Sequence, residues 1–67
     1  MRKFSIKLKD LRTENGLSTM KLGKLINVSD ATICRWENGL NDIKSDDLIK
    51  LAKFFKVSTD YLLGLED

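Results

Sequence analysis
Apolar residues along this chain recur three and four positions apart, the period of helices that bury one face. Phe4, Leu8 and Leu11 keep that spacing at the start and predict a first helix from near Ser5 to Glu14. Asn15-Gly16 ends it, since glycine readily takes the left-handed conformation that closes a helix. Leu48, Leu51, Ala52 and Phe55 follow i, i+3, i+4, i+7 and predict the buried side of another helix. Between and after these blocks the apolar residues are coupled to serines. Leu17-Ser18 is answered by Leu22, Val28-Ser29 by Ile33, and Val57-Ser58 by Leu62. A serine oxygen caps the free amides of a starting helix, and the residue before it staples to the fourth helical residue.

Two of these starts lie close together. They predict helices at about 19–26 and 30–38, joined by Asn27-Val28-Ser29, where Asn27 suits a left-handed helix end. Two short capped helices joined by a tight turn form the helix-turn-helix, here at about 19–38. Asn38-Gly39 stops the second helix, and Leu40 to Lys44 reads as a loop. Ser45 is expected to cap the fourth helix, with Asp46 and Asp47 favourable at its positive end. Val57-Ser58 opens a last short helix that Gly64 ends. The expected fold is all-α, with five helices in one compact domain over residues 1–67.

Composition narrows the class. The 67 residues, 42% hydrophobic and 33% charged, suit one small globular core rather than a disordered tail. No apolar run approaches the roughly 20 residues of a membrane span. The N-terminal MRKFSIKLKDLR lacks the apolar region of a signal peptide. A single cysteine cannot staple the fold, which fits a reducing cytoplasm. With no histidine and no metal-ligand or phosphate-loop spacing, no enzyme and no cofactor are expected. Net charge is only +2, but residues 1–18 carry +3, residues 19–39 carry +1 and residues 40–67 carry −2. The positive end goes with the first helix and the motif, as a phosphate-facing surface requires, though a solvated lysine face accounts for it nearly as well.

With those residues placed, the chain resembles the lambda repressor/Cro-like (XRE) helix-turn-helix family. The resemblance runs through Leu8-x-x-Leu11-Arg12, Gly16-Leu17-Ser18, Val28-Ser29-x-Ala31-Thr32-Ile33 and Arg35-Trp36-Glu37-Asn38-Gly39. It continues through Leu48-x-x-Leu51-Ala52 and Val57-Ser58-x-Asp60-Tyr61-Leu62-Leu63-Gly64. The resemblance implies that the helix at 30–38 enters the major groove while that at 19–26 braces across the backbone. Five positions depart from the family pattern. Thr19 replaces a phosphate-binding glutamine, Gly23 an alanine, and Asp30 a basic residue or glutamine. Leu40 and Ile43 stand where lysine and proline are common.

A helical wheel assigns the remaining roles. Ile33, Trp36 and Glu37 point inward; Ala31, Arg35 and Asn38 point outward, with Thr32 and Cys34 on the flanks. An inward Glu37 needs a partner, and Arg12 is the candidate, matching an internal salt bridge of the family. Arg35 has the fork that fits guanine N7 and O6, or else meets a phosphate. Ala31 can offer only an apolar contact, for instance to a thymine methyl. Thr32 suits base or phosphate, while Asn38, Ser29 and Thr19 are short donors suited to phosphates. Asp30 either stabilises its helix through the dipole or accepts from a cytosine amine. Lys44, with Lys21 and Lys24, adds diffuse positive charge. Cys34 reads as a passive spacer ahead of a redox-sensitive thiol. Surplus apolar residues among Tyr61, Leu62, Leu63 and Leu65 suit a weak homodimer on paired half-sites. The expected partner is double-stranded DNA, with no membrane. The competing expectation, motivated by Asp30, Leu40 and Ile43, is a helix-turn-helix used for protein contact instead.

Overall fold
The computed structural model describes residues 2–66, so the two end positions of the expected 1–67 domain lie outside the described residues. These residues form α1 (Arg2–Glu14), α2 (Thr19–Ile26), α3 (Asp30–Glu37), α4 (Ser45–Phe55) and α5 (Thr59–Leu63). The all-α expectation holds. Three of the connections share one construction. Gly16-Leu17-Ser18, Asn27-Val28-Ser29 and Lys56-Val57-Ser58 each begin with a left-handed residue, at φ 67°, 62° and 58°. The amide of the middle residue then donates back to Arg12, Gly23 or Ala52, at 3.1, 2.9 and 3.0 Å. That bond closes the preceding helix. The serine, in extended backbone, accepts the amide of Lys21, Thr32 or Tyr61 and opens the next. The middle residue's side chain packs on the core. Its staple partners, Leu22, Ile33 and Leu62, are fully buried.

Two expected helix starts are corrected. The first helix begins at Arg2, not near Ser5. Ser5 is buried, and its hydroxyl donates to the Trp36 carbonyl across to α3. Ser45 is the first helical residue rather than the cap. Lys44 occupies the cap position with no side-chain bond, leaving Asp46 and Asp47 in the first turn to complement the helix dipole. At its far end α3 stops at Glu37, one residue short of the expected span, and Asn38 is its C-cap.

Every helix feeds the same core. Phe4 and Leu8 come from α1, Leu22 and Ile26 from α2, Ile33 and Trp36 from α3, Leu51 and Ala52 from α4, Leu62 from α5. Burying each Leu or Ile side chain contributes roughly 1.5–3 kcal/mol. Phe4 and Trp36 meet edge-to-face with ring centroids 6.5 Å apart, so Trp36 is a core residue. Ile43, expected as an exposed loop residue, also packs on the core, whereas Leu40 stays exposed. α1 lies against α3 and α5, α2 against α3 and α4, and α4 against α5. On the α1–α5 seam the Lys7 ammonium stands 4.4 Å from the centre of the Tyr61 ring. Helices α1 and α2 therefore hold α3 from two sides and leave its remaining side open. Among the described residues no helix is long and apolar enough to cross a membrane.

Candidate nucleic-acid interface
The open side of α3 is set by what its closed side is tied to. Ile33 and Trp36 are buried, at 0% and 3% exposure. Glu37, on the same side, receives Arg12 in a two-point grip: Nε to Oε2 at 2.6 Å and Nη2 to Oε1 at 2.9 Å. The third arm, Nη1, donates to the Leu17 carbonyl at 2.8 Å. The one guanidinium thus ties α1, the turn before α2, and the end of α3. Bonding to Glu37 raises the Arg12 pKa further above the usual range of a guanidinium, so the cation is permanent. The expected ion pair is present. Its effect is to fix the rotation of α3 about its own axis.

The approach of α2 to α3 depends on Gly23. A Cβ there would stand 2.6 Å from the Val28 carbonyl oxygen and 3.5 Å from Ile33 Cδ1. The backbone itself closes that gap, so glycine permits the tight turn between the two helices.

With the closed side fixed, Asp30, Ala31, Arg35 and Asn38 are exposed on α3, and Thr32 and Cys34 half-buried on its flanks. The wheel assignment stands. Ser29 Oγ accepts the Thr32 amide at 3.1 Å and lies 2.7 Å from Thr32 Oγ1. One hydroxyl proton joins the two oxygens, which leaves the other proton to be donated outward. Asn38 Nδ2 donates to the Cys34 carbonyl at 2.7 Å, so one of its two amide protons is already used within the helix end. Cys34 Sγ is 3.9 Å from Asp30 Oδ1, a weak contact along the same flank. Thr19 is half-buried at the start of α2, and Lys44 is exposed before α4. Among the described residues no polar side-chain contact links either of them to the α3 row. Their relation to it is one of placement.

One residue was not singled out from the sequence. A cleft of about 350 Å³ opens where α3 ends, and Arg2 lines it together with Ser5, Ile6, Glu37, Asn38 and Gly39. Arg2 belongs to the first turn of α1, which the sequence reading placed before the helix. The positive charge of residues 1–18 was the one signal pointing to it.

Residues 8–62 match the helix-turn-helix family. The chain belongs to that family. Among helix-turn-helix proteins, the transcriptional regulator ImmR of Bacillus subtilis is 31% identical over 91% of this chain and 48% of its own length. The transcriptional activator BcrR of Enterococcus faecalis is 36% identical over 96% of this chain and 31% of its own. This helix-turn-helix chain therefore spans about half and about a third of the length of those two relatives. The P22 c2 repressor, solved with a synthetic operator, superposes with a TM-score of 0.89 at 26% identity. That match covers 98% of this chain and 100% of the repressor chain. The lambda repressor/Cro-like resemblance read from the sequence and the fold thus agree.

Proposed function
We propose that the chain is a sequence-specific transcriptional regulator that binds double-stranded DNA and represses by occupying its operator. The observation that carries this is the fixed rotation of α3. Ile33, Trp36 and the Arg12–Glu37 grip hold one side inward, which turns Asp30, Ala31, Thr32, Arg35 and Asn38 toward a groove. In this reading Arg35 takes a guanine edge, Ala31 meets an apolar base atom, and Thr32 and Ser29 share one outward proton for base or phosphate. Thr19, Asn38 and Lys44 meet backbone phosphates, and Arg2 joins them beside Asn38. The P22 c2 repressor, so close in fold, is described with an operator, which supports the same partner here. Repression follows wherever the operator overlaps a promoter.

The rest of the reading follows from these assignments. One domain covers the chain, it works by binding rather than catalysis, and its place is the cytoplasm, where the DNA is. Leu65, exposed at 72%, is the surplus apolar residue available to a weak homodimer on paired half-sites. The protein-contact alternative loses one of its motives, because Ile43 is packed on the core. Selection from random duplexes, followed by titration of the winning site at two salt concentrations, tests the proposal. A recovered motif whose affinity falls with salt supports it. Absence of both a motif and salt-dependent binding overturns it.

A further inference from the structure
The C-terminal end of α2 and the outer face of α4 enclose an open cleft of about 590 Å³. Leu25, Ile26, Asn27, Lys50, Lys53 and Phe54 line it. Leu25 and Phe54 lie off the core rows of their helices and remain 48% and 37% exposed. A single exposed apolar residue needs no explanation. Here two helices each direct one into the same concavity. The Phe54 ring is held edge-to-face against Phe55, centroids 5.0 Å apart, and Phe55 packs on the core, so the anchor surface is ordered in advance. Lys50 Nζ is steadied between the Ile26 carbonyl at 3.5 Å and Asp47 Oδ1 at 3.9 Å. Lys53, one turn further on, is exposed. No carboxylate lines the cleft, which pairs an apolar floor with a cationic rim.

We propose that this cleft docks an acidic amphipathic helix of a partner protein. Its apolar side chain seats between Leu25 and Phe54, and its carboxylates, one turn apart, meet Lys50 and Lys53. The eight-residue α2, about 12 Å long, carries Thr19 at the end opposite the cleft. The proposal does not rest on DNA binding.

The test is a titration of the intact chain, observed by amide NMR, with a synthetic helical peptide of about 14 residues carrying leucine anchors and flanking glutamates. A second peptide carries lysine at each glutamate position. The glutamate peptide is expected to shift amides at 25–27 and 50–54. Its affinity should fall about tenfold in Lys50→Glu/Lys53→Glu, as expected for loss and reversal of two rim charges. The lysine peptide should bind that variant better than the parent. Both sites are exposed, so melting of the variant alongside the parent separates lost docking from lost folding. Equal binding of the two peptides, shifts confined elsewhere, or no binding at millimolar peptide overturns the proposal. So does self-association of the free chain that Phe54→Ser abolishes, which would assign the cleft to a second copy.

Discussion

The Arg12–Glu37 grip gives the sharpest test of how α3 is held. Arg12→Met keeps most of the side-chain volume and removes three donors at once. Glu37 is then left with two carboxylate oxygens that had been served at 2.6 and 2.9 Å, under side chains exposed by only 13% and 8%. Stranding one charge of a buried pair costs about 3–5 kcal/mol. This pair lies at the edge of a small domain under thin cover, which favours the lower end, about 3 kcal/mol. For a domain of this size that lowers the melting temperature by roughly 12–24 °C. Adding Glu37→Leu removes the stranded charge and should restore most of the loss. About 1 kcal/mol should persist, because the Leu17 carbonyl loses its donor in both variants. Thermal melts of parent, single and double variants, with a urea series for free energies, measure all three quantities. The pH dependence has a definite sign. A cation whose folded pKa is raised above its unfolded value contributes fully below the unfolded pKa and loses its contribution only as pH rises through the folded one. The parent's advantage over Arg12→Met should therefore show no loss from Arg12 deprotonation up to about pH 10. A single variant melting within about 2 °C of the parent refutes the argument.

Gly23→Ala gains about 1 kcal/mol of helix propensity but drives a methyl against the Val28 carbonyl, a backbone atom. Overpacking of about 1–3 kcal/mol should win, and a raised urea midpoint would show that the turn opens freely. Arg35→Ala should lose about 1–3 kcal/mol on the best duplex and relax preference at one base pair, whereas Lys21→Ala or Lys24→Ala should weaken all duplexes alike. A selected motif unchanged by Arg35→Ala would move that residue to the backbone. Asp30→Asn should cost little stability, at most about 1 kcal/mol of dipole interaction, raise affinity for every duplex and leave the motif alone. Blurring at a single position would instead make Asp30 a cytosine reader.

Local signals made most of the frame readable in advance. The Leu-Ser, Val-Ser and Val-Ser starts carry their own partners five residues on, and Asn27 announces a left-handed helix end, so α2, α3 and α5 were placed almost to the residue. The start near Ser5 was placed too late because the Ser5 hydroxyl serves the Trp36 carbonyl, 31 positions away in sequence. No local rule carries that information. Ser45 misled by one position, since a helix start rich in Ser and Asp satisfies the same dipole with either residue first. Lys56 takes the left-handed conformation at φ 58° with neither glycine's freedom nor asparagine's tolerance. Its neighbours Val57 and Ser58 impose it by closing α4 and opening α5. For the interface, the wheel separated inward from outward residues correctly because Ile33 and Trp36 are buried at 0% and 3% exposure and fix which side faces in. Arg2 escaped because its place depends on where α1 begins relative to the end of α3.

The joints between helices also bear on how the proposed reading head would meet a duplex. At Leu17, Val28 and Val57 the residue that finishes one helix also anchors the next, so neither can swing without unfastening its neighbour. A reading head joined in this way has no hinge at Leu17, Val28 or Val57 at which to adapt. Any mismatch between its surface and B-form DNA falls to the more compliant partner, and sequences that bend or narrow readily gain an advantage at positions no side chain touches. If the chain binds DNA as proposed, stiffness in the protein becomes selectivity for flexibility in the DNA.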